Sequence, residues 1–200
     1  MFDEVVRRRL APALAPAARR LGGWGITPNH VTIATFVIAS GAAALTAAGL
    51  SGAGLVLWLT SRVGDGLDGV IARETAQSTA FGGYLDITLD MAAYSLMVVA
   101  FAVIRPELGI VWPMILMGYV LAITTTLALA AAAERAHRTV SGTDRTFQFT
   151  PALAEAGETT VVYVLWYLFP AYVGPIAWIW CGVLILSAVQ RSILAWRWLR

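Results

Sequence analysis

Stretches of apolar residues as long as a bilayer is thick, ~20 residues for a helix, recur along this chain of 200 residues. Six can be drawn: Ile26 to Leu50, Ala53 to Arg73, Ala80 to Ile104, Leu108 to Ala133, Thr159 to Phe169 with an extension from Leu153, and Tyr172 to Trp196. The fifth is short and is preceded by Glu155 and Glu158. With 58% hydrophobic and 13% charged residues, a water-soluble globule could not cover its surface with polar groups. The fold class expected is therefore an all-α polytopic membrane protein with six transmembrane helices, residues 1–200 forming one domain. No nucleic-acid partner is expected.

An even number of spans puts both termini on one side. The fourteen basic residues are all arginine. In this topology Arg105 alone lies on the far side, while Arg7, Arg8, Arg9, Arg19, Arg20, Arg135, Arg138 and Arg145 gather on the near one. Arginine-rich loops stay in the cytoplasm, so a multi-pass protein of the cell (inner) membrane is expected. Residues 1–24 carry arginines beside an apolar patch too short for a signal peptide and broken by Pro12 and Pro16. They read as an amphipathic juxtamembrane helix on the cytoplasmic leaflet. Trp24, Trp196 and Trp198 are expected in the cytoplasmic aromatic belt and Trp112 in the outer one. Cys181, the sole cysteine, can form no internal disulfide and reads as packing.

Against this background, residues 65–90, DGLDGVIARETAQSTAFGGYLDITLD, are anomalous. On a helix, at about 100° per residue, Asp65, Asp68, Gly69, Ala72 and Arg73 share an arc of roughly 140°. Gly82, Asp86 and Asp90 recur every four residues on the next helix. Counted from the intervening turn at 1.5 Å per residue, Asp68 and Asp86 lie about 13 Å deep and Asp65 and Asp90 roughly 20 Å. Four converging carboxylates inside a membrane require shared protons or bound cations. Oxygen-only ligands with room for phosphate select Mg²⁺ or Mn²⁺. Gly66 and Gly83 read as helix-packing positions, while Gly69 and Gly82, in line with the aspartates, read as clearance for a ligand. Arg73 suits a bidentate phosphate contact, and Arg62, one turn before Asp65, reads as its partner.

At these residues the chain resembles the CDP-alcohol phosphotransferases, or CDP-alcohol phosphatidyltransferases. Their signature, D-x-x-D-G-x-x-A-R, eight residues, then G-x-x-x-D-x-x-x-D, reads here Asp65, Asp68, Gly69, Ala72, Arg73, Gly82, Asp86 and Asp90. The start of the first span, TPNHVT, is similar to theirs as well. The resemblance implies a two-metal site of Mg²⁺ or Mn²⁺ held by Asp65, Asp68, Asp86 and Asp90. It implies Asp90 as the base toward an acceptor alcohol, and Asn29 to Thr32, Gly69, Ala72, Arg73, Thr79 and Gly82 around a CDP-linked lipid. It further implies attack of the alcohol on the β-phosphorus of CDP-diacylglycerol with release of CMP, a site open to the cytoplasm, surrounding membrane lipids and a homodimer.

The acceptor is less well marked. Relatives that use inositol phosphate carry a basic pair at the end of the fourth span, where this chain has ALAAAAER, residues 128–135. That departure disfavours inositol phosphate and leaves glycerol 3-phosphate or another small alcohol. Arg135, Arg138, Arg145 and Arg191 are candidates for an acceptor phosphate or simply topology determinants. Glu155 and Glu158 either favour a helix N-terminus or bind a cationic or polyol acceptor. Aminoalcohol transfer from CDP-choline or CDP-ethanolamine to a lipid is the alternative within the family. A cation or proton transporter would also bury acids, but it would not need Gly69, Ala72 and Arg73 at fixed offsets. His30 and His137 have no ligand-spaced partner.

Overall fold

The computed structural model describes residues 2–135 and 156–199, with side chains described from residue 12 onward. Arg138, Arg145, His137 and Glu155 lie outside the described residues, as do the side chains of Arg7, Arg8 and Arg9. The described chain is all-α, with helices α1 (Phe2–Gly23), α2 (Pro28–Ala47), α3 (Ser51–Glu74), α4 (Ala80–Ile104), α5 (Val111–Arg135), α6 (Ala156–Leu168) and α7 (Val173–Leu199). It divides into two compact units, Phe2–Pro106 and Glu107–Arg200.

In the first unit α2 packs against α3 and α4, and α1 against α3. Thr27 begins α2 with a capping box. Its hydroxyl accepts from the His30 backbone N–H at 3.4 Å, and the His30 ring accepts from the Thr27 backbone N–H at 3.3 Å. Pro28 fits at the first helical position because its missing N–H would have no helical partner there. The buried face of α2 is Thr32, Thr35, Ala39, Ala42, Ala43 and Thr46, all small. Small residues let helix backbones approach closely where no bulky side chain intervenes. Gly64 of α3 shows how closely: a Cβ there would run into the side chain of Thr35. This contact sets the antiparallel register, and one turn further along α3 Asp68 meets Thr32 of α2.

The helix α1 continues through Pro12 and Pro16, which lie four residues apart and are both exposed. Their missing N–H groups therefore interrupt one face only. Ala18 is fully buried against Val70 and Ile71 of α3, with Leu14, Ala15, Leu21, Val31 and Leu67 around them. Arg19 pairs with Glu74 at 3.0 Å. Within residues 14–21, Leu14, Ala15, Ala18 and Leu21 therefore pack on protein.

In the second unit α5 packs on α7, and α6 touches α7. Gly118 permits the approach, since a Cβ there would sit 2.9 Å from Leu184 Cβ. Tyr119 and Tyr163 share a hydrogen bond of 2.8 Å, and Trp180 Nε1 donates to Tyr119 at 3.0 Å. Trp112 is buried, edge-on to Trp166 with ring centroids 5.4 Å apart. It is a core residue, contrary to the aromatic-belt expectation, because α5 turns it inward. Trp24 and Trp196 are exposed as expected, and Cys181 is buried.

Among the described residues, four helical segments are long and apolar enough to cross a membrane: Pro28–Ala47, Ala80–Ile104, Val111–Arg135 and Pro170–Leu199. Two of the six expected spans fall short of that measure for physical reasons. Arg62, Asp65, Asp68, Arg73 and Glu74 interrupt α3, and α6 has 13 residues.

Candidate active site

The four aspartates come from two helices of the first unit. Asp65 and Asp68 stand one turn apart on α3, and Asp86 and Asp90 one turn apart on α4. One carboxylate oxygen each from Asp65, Asp68 and Asp86 lies within 4.8 Å of the others. Three anions this close repel one another unless a cation lies between them. All donors are oxygens, with no His or Cys among them, which suits a hard divalent ion. The residues present therefore fit the metal that the sequence pattern implies.

Asp68 is the most buried of the group, at 6% exposure. The Thr32 hydroxyl donates to its Oδ2 at 2.7 Å. Thr32, expected to face the CDP-linked lipid, thus directs its hydroxyl at a carboxylate of the cluster.

Asp90 has different neighbours. Arg62 Nη1 donates to its Oδ1 at 2.8 Å and to Tyr94 OH at 3.2 Å, and Tyr94 OH donates to Asp90 Oδ2 at 3.4 Å. The same Arg62 nitrogen is 3.9 Å from Asp65 Oδ2. Arg62 was expected to serve Asp65, but its shorter bond is to Asp90. Its guanidinium lies 4.6 Å from the Trp58 ring centroid and 5.3 Å from that of Tyr94. Trp58 is one turn before Arg62 and Tyr94 one turn after Asp90, so i, i+4 spacing is the signal that would have found both.

The remaining signature residues lie at the first turns of α2 and α4 and in the last turns of α3. Thr79 caps α4, accepting from the Gly82 backbone N–H at 3.0 Å. A Cβ on Gly82 would lie 3.1 Å from both Asn29 Oδ1 and Thr79 Oγ1, so glycine lets the first turn of α4 close on α2. Above Gly69 the nearest atoms belong to the Arg73 guanidinium, 3.4 Å from where a Cβ would be. Arg73 is exposed and meets no ion-pair partner among the described residues. Ala72 is half-buried beside it, while Gly66, as a packing position, faces Leu14 of α1.

In the second unit Arg191 is buried and donates to the Ala122 carbonyl of α5 at 3.0 Å. Glu158 opens α6 with its Oε2 buried and without a hydrogen-bond partner among the described residues. Arg135 is exposed at the end of α5.

Residues 25–193 match the profile of the CDP-alcohol phosphatidyltransferases. The chain belongs to that family. As a CDP-alcohol phosphatidyltransferase it is a membrane-embedded transferase of substituted phosphate groups in phospholipid biosynthesis. The matched segment takes in residues of both compact units. The chain is 34% identical to inner membrane protein YnjF of Escherichia coli, over 96% of this chain and 100% of that one. It is also 34% identical to archaetidylinositol phosphate synthase of Methanothermobacter thermautotrophicus, over 49% of this chain and 47% of the other. The fold is that of the phosphatidylinositol phosphate synthase of Mycobacterium tuberculosis solved with CDP-DAG bound, with a TM-score of 0.68 at 23% identity over 92% and 93% of the two chains. A structure of the same synthase holds manganese and citrate, again with a TM-score of 0.68.

Proposed function

We propose that this CDP-alcohol phosphatidyltransferase moves the phosphatidyl group of CDP-diacylglycerol to a hydroxyl of a small polar acceptor and releases CMP. The observation that carries this reading is the convergence of Asp65, Asp68 and Asp86 on one point, with Asp90 one turn along α4. The Mycobacterium tuberculosis neighbour, solved with CDP-DAG and with manganese, supports it. Asp65, Asp68 and Asp86, joined by Asp90, would hold two Mg²⁺ or Mn²⁺ ions. Such ions, when bound, neutralise the pyrophosphate and the charge developing on the leaving CMP.

The chain's own groups do the rest. Thr32 fixes the Asp68 carboxylate. Arg73, folded over Gly69, meets a phosphate of the CDP-lipid, and Asn29, Ala72, Thr79 and Gly82 complete the surface against which the nucleotide lies. Asp90 takes the proton of the acceptor hydroxyl as its oxygen bonds to the β-phosphorus and the bond from that phosphorus to the CMP oxygen breaks.

The reading extends to six spans within a single domain of residues 1–200, with α3 and α6 crossing beside the four more apolar helices. Its arginine distribution places the site toward the cytoplasm of an inner membrane, with α1 along that leaflet and a homodimer as the assembled form. Membrane lipids surround the spans.

Glycerol 3-phosphate or another small alcohol is the acceptor favoured by the alanines at 128 and 130–133. The similarity to the archaetidylinositol phosphate synthase of Methanothermobacter favours inositol phosphate as a second reading. CMP release from CDP-diacylglycerol, measured with glycerol 3-phosphate, serine, inositol, inositol phosphate and a second lipid, separates them. Release with none of these, alongside release from CDP-choline in the presence of a lipid acceptor, would replace phosphatidyl transfer with aminoalcohol transfer.

A further inference from the structure

The cation position beside Asp90 is held by an amino acid of the chain itself. The Arg62 guanidinium stands 2.8 Å from Asp90 and 3.9 Å from Asp65, within reach of both carboxylates. It is anchored on several sides. The Nε donates to Ser61 Oγ at 3.2 Å, and that hydroxyl donates to the Trp58 carbonyl at 2.7 Å. The ring of Trp58, fully buried, lies against one side and that of Tyr94 against another. A planar, permanently charged fork fixed in this way is preorganised for carboxylates. It loses little further freedom by binding them.

We propose that Arg62 is a positioning residue that acts through Asp90, as a resident counter-cation that any metal ion bound by both Asp65 and Asp90 has to displace. The two cation positions of the site are then unequal. An ion at Asp65, Asp68 and Asp86 meets three converging oxygens, with Asp65 only weakly engaged by the guanidinium at 3.9 Å. An ion that also recruits Asp90 must break the 2.8 Å bond and overcome repulsion from a cation tethered alongside. Occupancy of the second position and release of Asp90 toward the acceptor thereby become one event. An unliganded site keeps Asp90 neutralised.

The inference rests on the aspartate cluster being the metal site, and the experiment separates the two. Full-length protein in nanodiscs is titrated with Mn²⁺ alone, and bound ion is counted from the loss of the free-ion electron paramagnetic resonance signal. Wild type is expected to take one Mn²⁺ tightly and a second at least about tenfold more weakly. Arg62→Gln is expected to tighten the second step on the order of tenfold and leave the first within a few-fold. Tyr94→Phe, which removes a bond to the guanidinium but keeps the ring, moves the second step in the same direction severalfold and decides the question if Arg62→Gln does not fold. Two equal steps in wild type, or a second step unmoved in both variants, would overturn the role of Arg62. Asp68→Asn probes the cluster itself. Undiminished binding of the first ion in that variant would sink the metal site rather than the arginine.

Discussion

The Thr32 hydroxyl donates to Asp68 Oδ2 across 2.7 Å, joining α2 to α3 at the most buried carboxylate of the cluster. The bond orients an acid that has little water available to it. Thr32→Val keeps the shape and removes the donor. The half-saturating Mn²⁺ concentration for CMP release is expected to rise on the order of tenfold, since hydrogen bonds to charged groups contribute ~1.5–3 kcal/mol. Thr32→Ser, which keeps the hydroxyl, should stay near wild type.

Asp90→Asn separates proton transfer from lipid binding. Turnover is expected to fall on the order of 10²-fold or more, while the affinity for CDP-diacylglycerol, read by isothermal titration, falls much less. Asp65→Asn should lose both together. Near-normal turnover in Asp90→Asn would remove Asp90 as the base.

Chelation tests the metal requirement in the same assay. Exhaustive treatment with EDTA is expected to abolish CMP release, and Mg²⁺ or Mn²⁺ to restore it, because the donor set is oxygen alone. Undiminished activity after chelation would exclude a metal-dependent reaction.

Gly118→Ala addresses packing in the second unit. The new Cβ would meet Leu184 Cβ at 2.9 Å and its Cδ1 at 3.0 Å. Both are near the branch point of the leucine, so the helices have to move apart. A loss of about 1–3 kcal/mol is expected from overpacking, visible as a lower midpoint of thermal unfolding in detergent. An unchanged midpoint would show that α5 and α7 separate at no cost.

The aspartates were legible from spacing because helical periodicity alone puts Asp65 with Asp68 and Asp86 with Asp90. Bilayer-length apolar runs likewise marked α2, α4, α5 and α7. What spacing could not supply was register between helices. The pairing of Thr32 with Asp68 depends on the Gly64–Thr35 contact, two residues 29 positions apart in sequence. Arg62 had two carboxylates within reach, and the choice of Asp90 followed from the positions of Trp58 and Tyr94. Trp112 was misread for one reason. An apolar surface is equally compatible with lipid and with protein, and pattern does not say which covers it.

The charges along α3 bear on how the chain is made. At the centre of an isolated helix, Asp or Arg costs ~2.5–3.5 kcal/mol each on insertion from the translocon, and Arg62, Asp65 and Asp68 together outweigh the apolar residues between them. Thr32 is synthesised before α3, and Asp90 and Tyr94 soon after it. On the six-span reading proposed above, entry into the bilayer would be a cooperative act of α2, α3 and α4, with α3 waiting at the translocon for its neighbours. A ribosome-stalled chain ending within α4 would expose α3 to water or to quality-control proteases. Substitutions that break the polar contacts would then lower the amount of protein in the membrane before they affect any catalytic step.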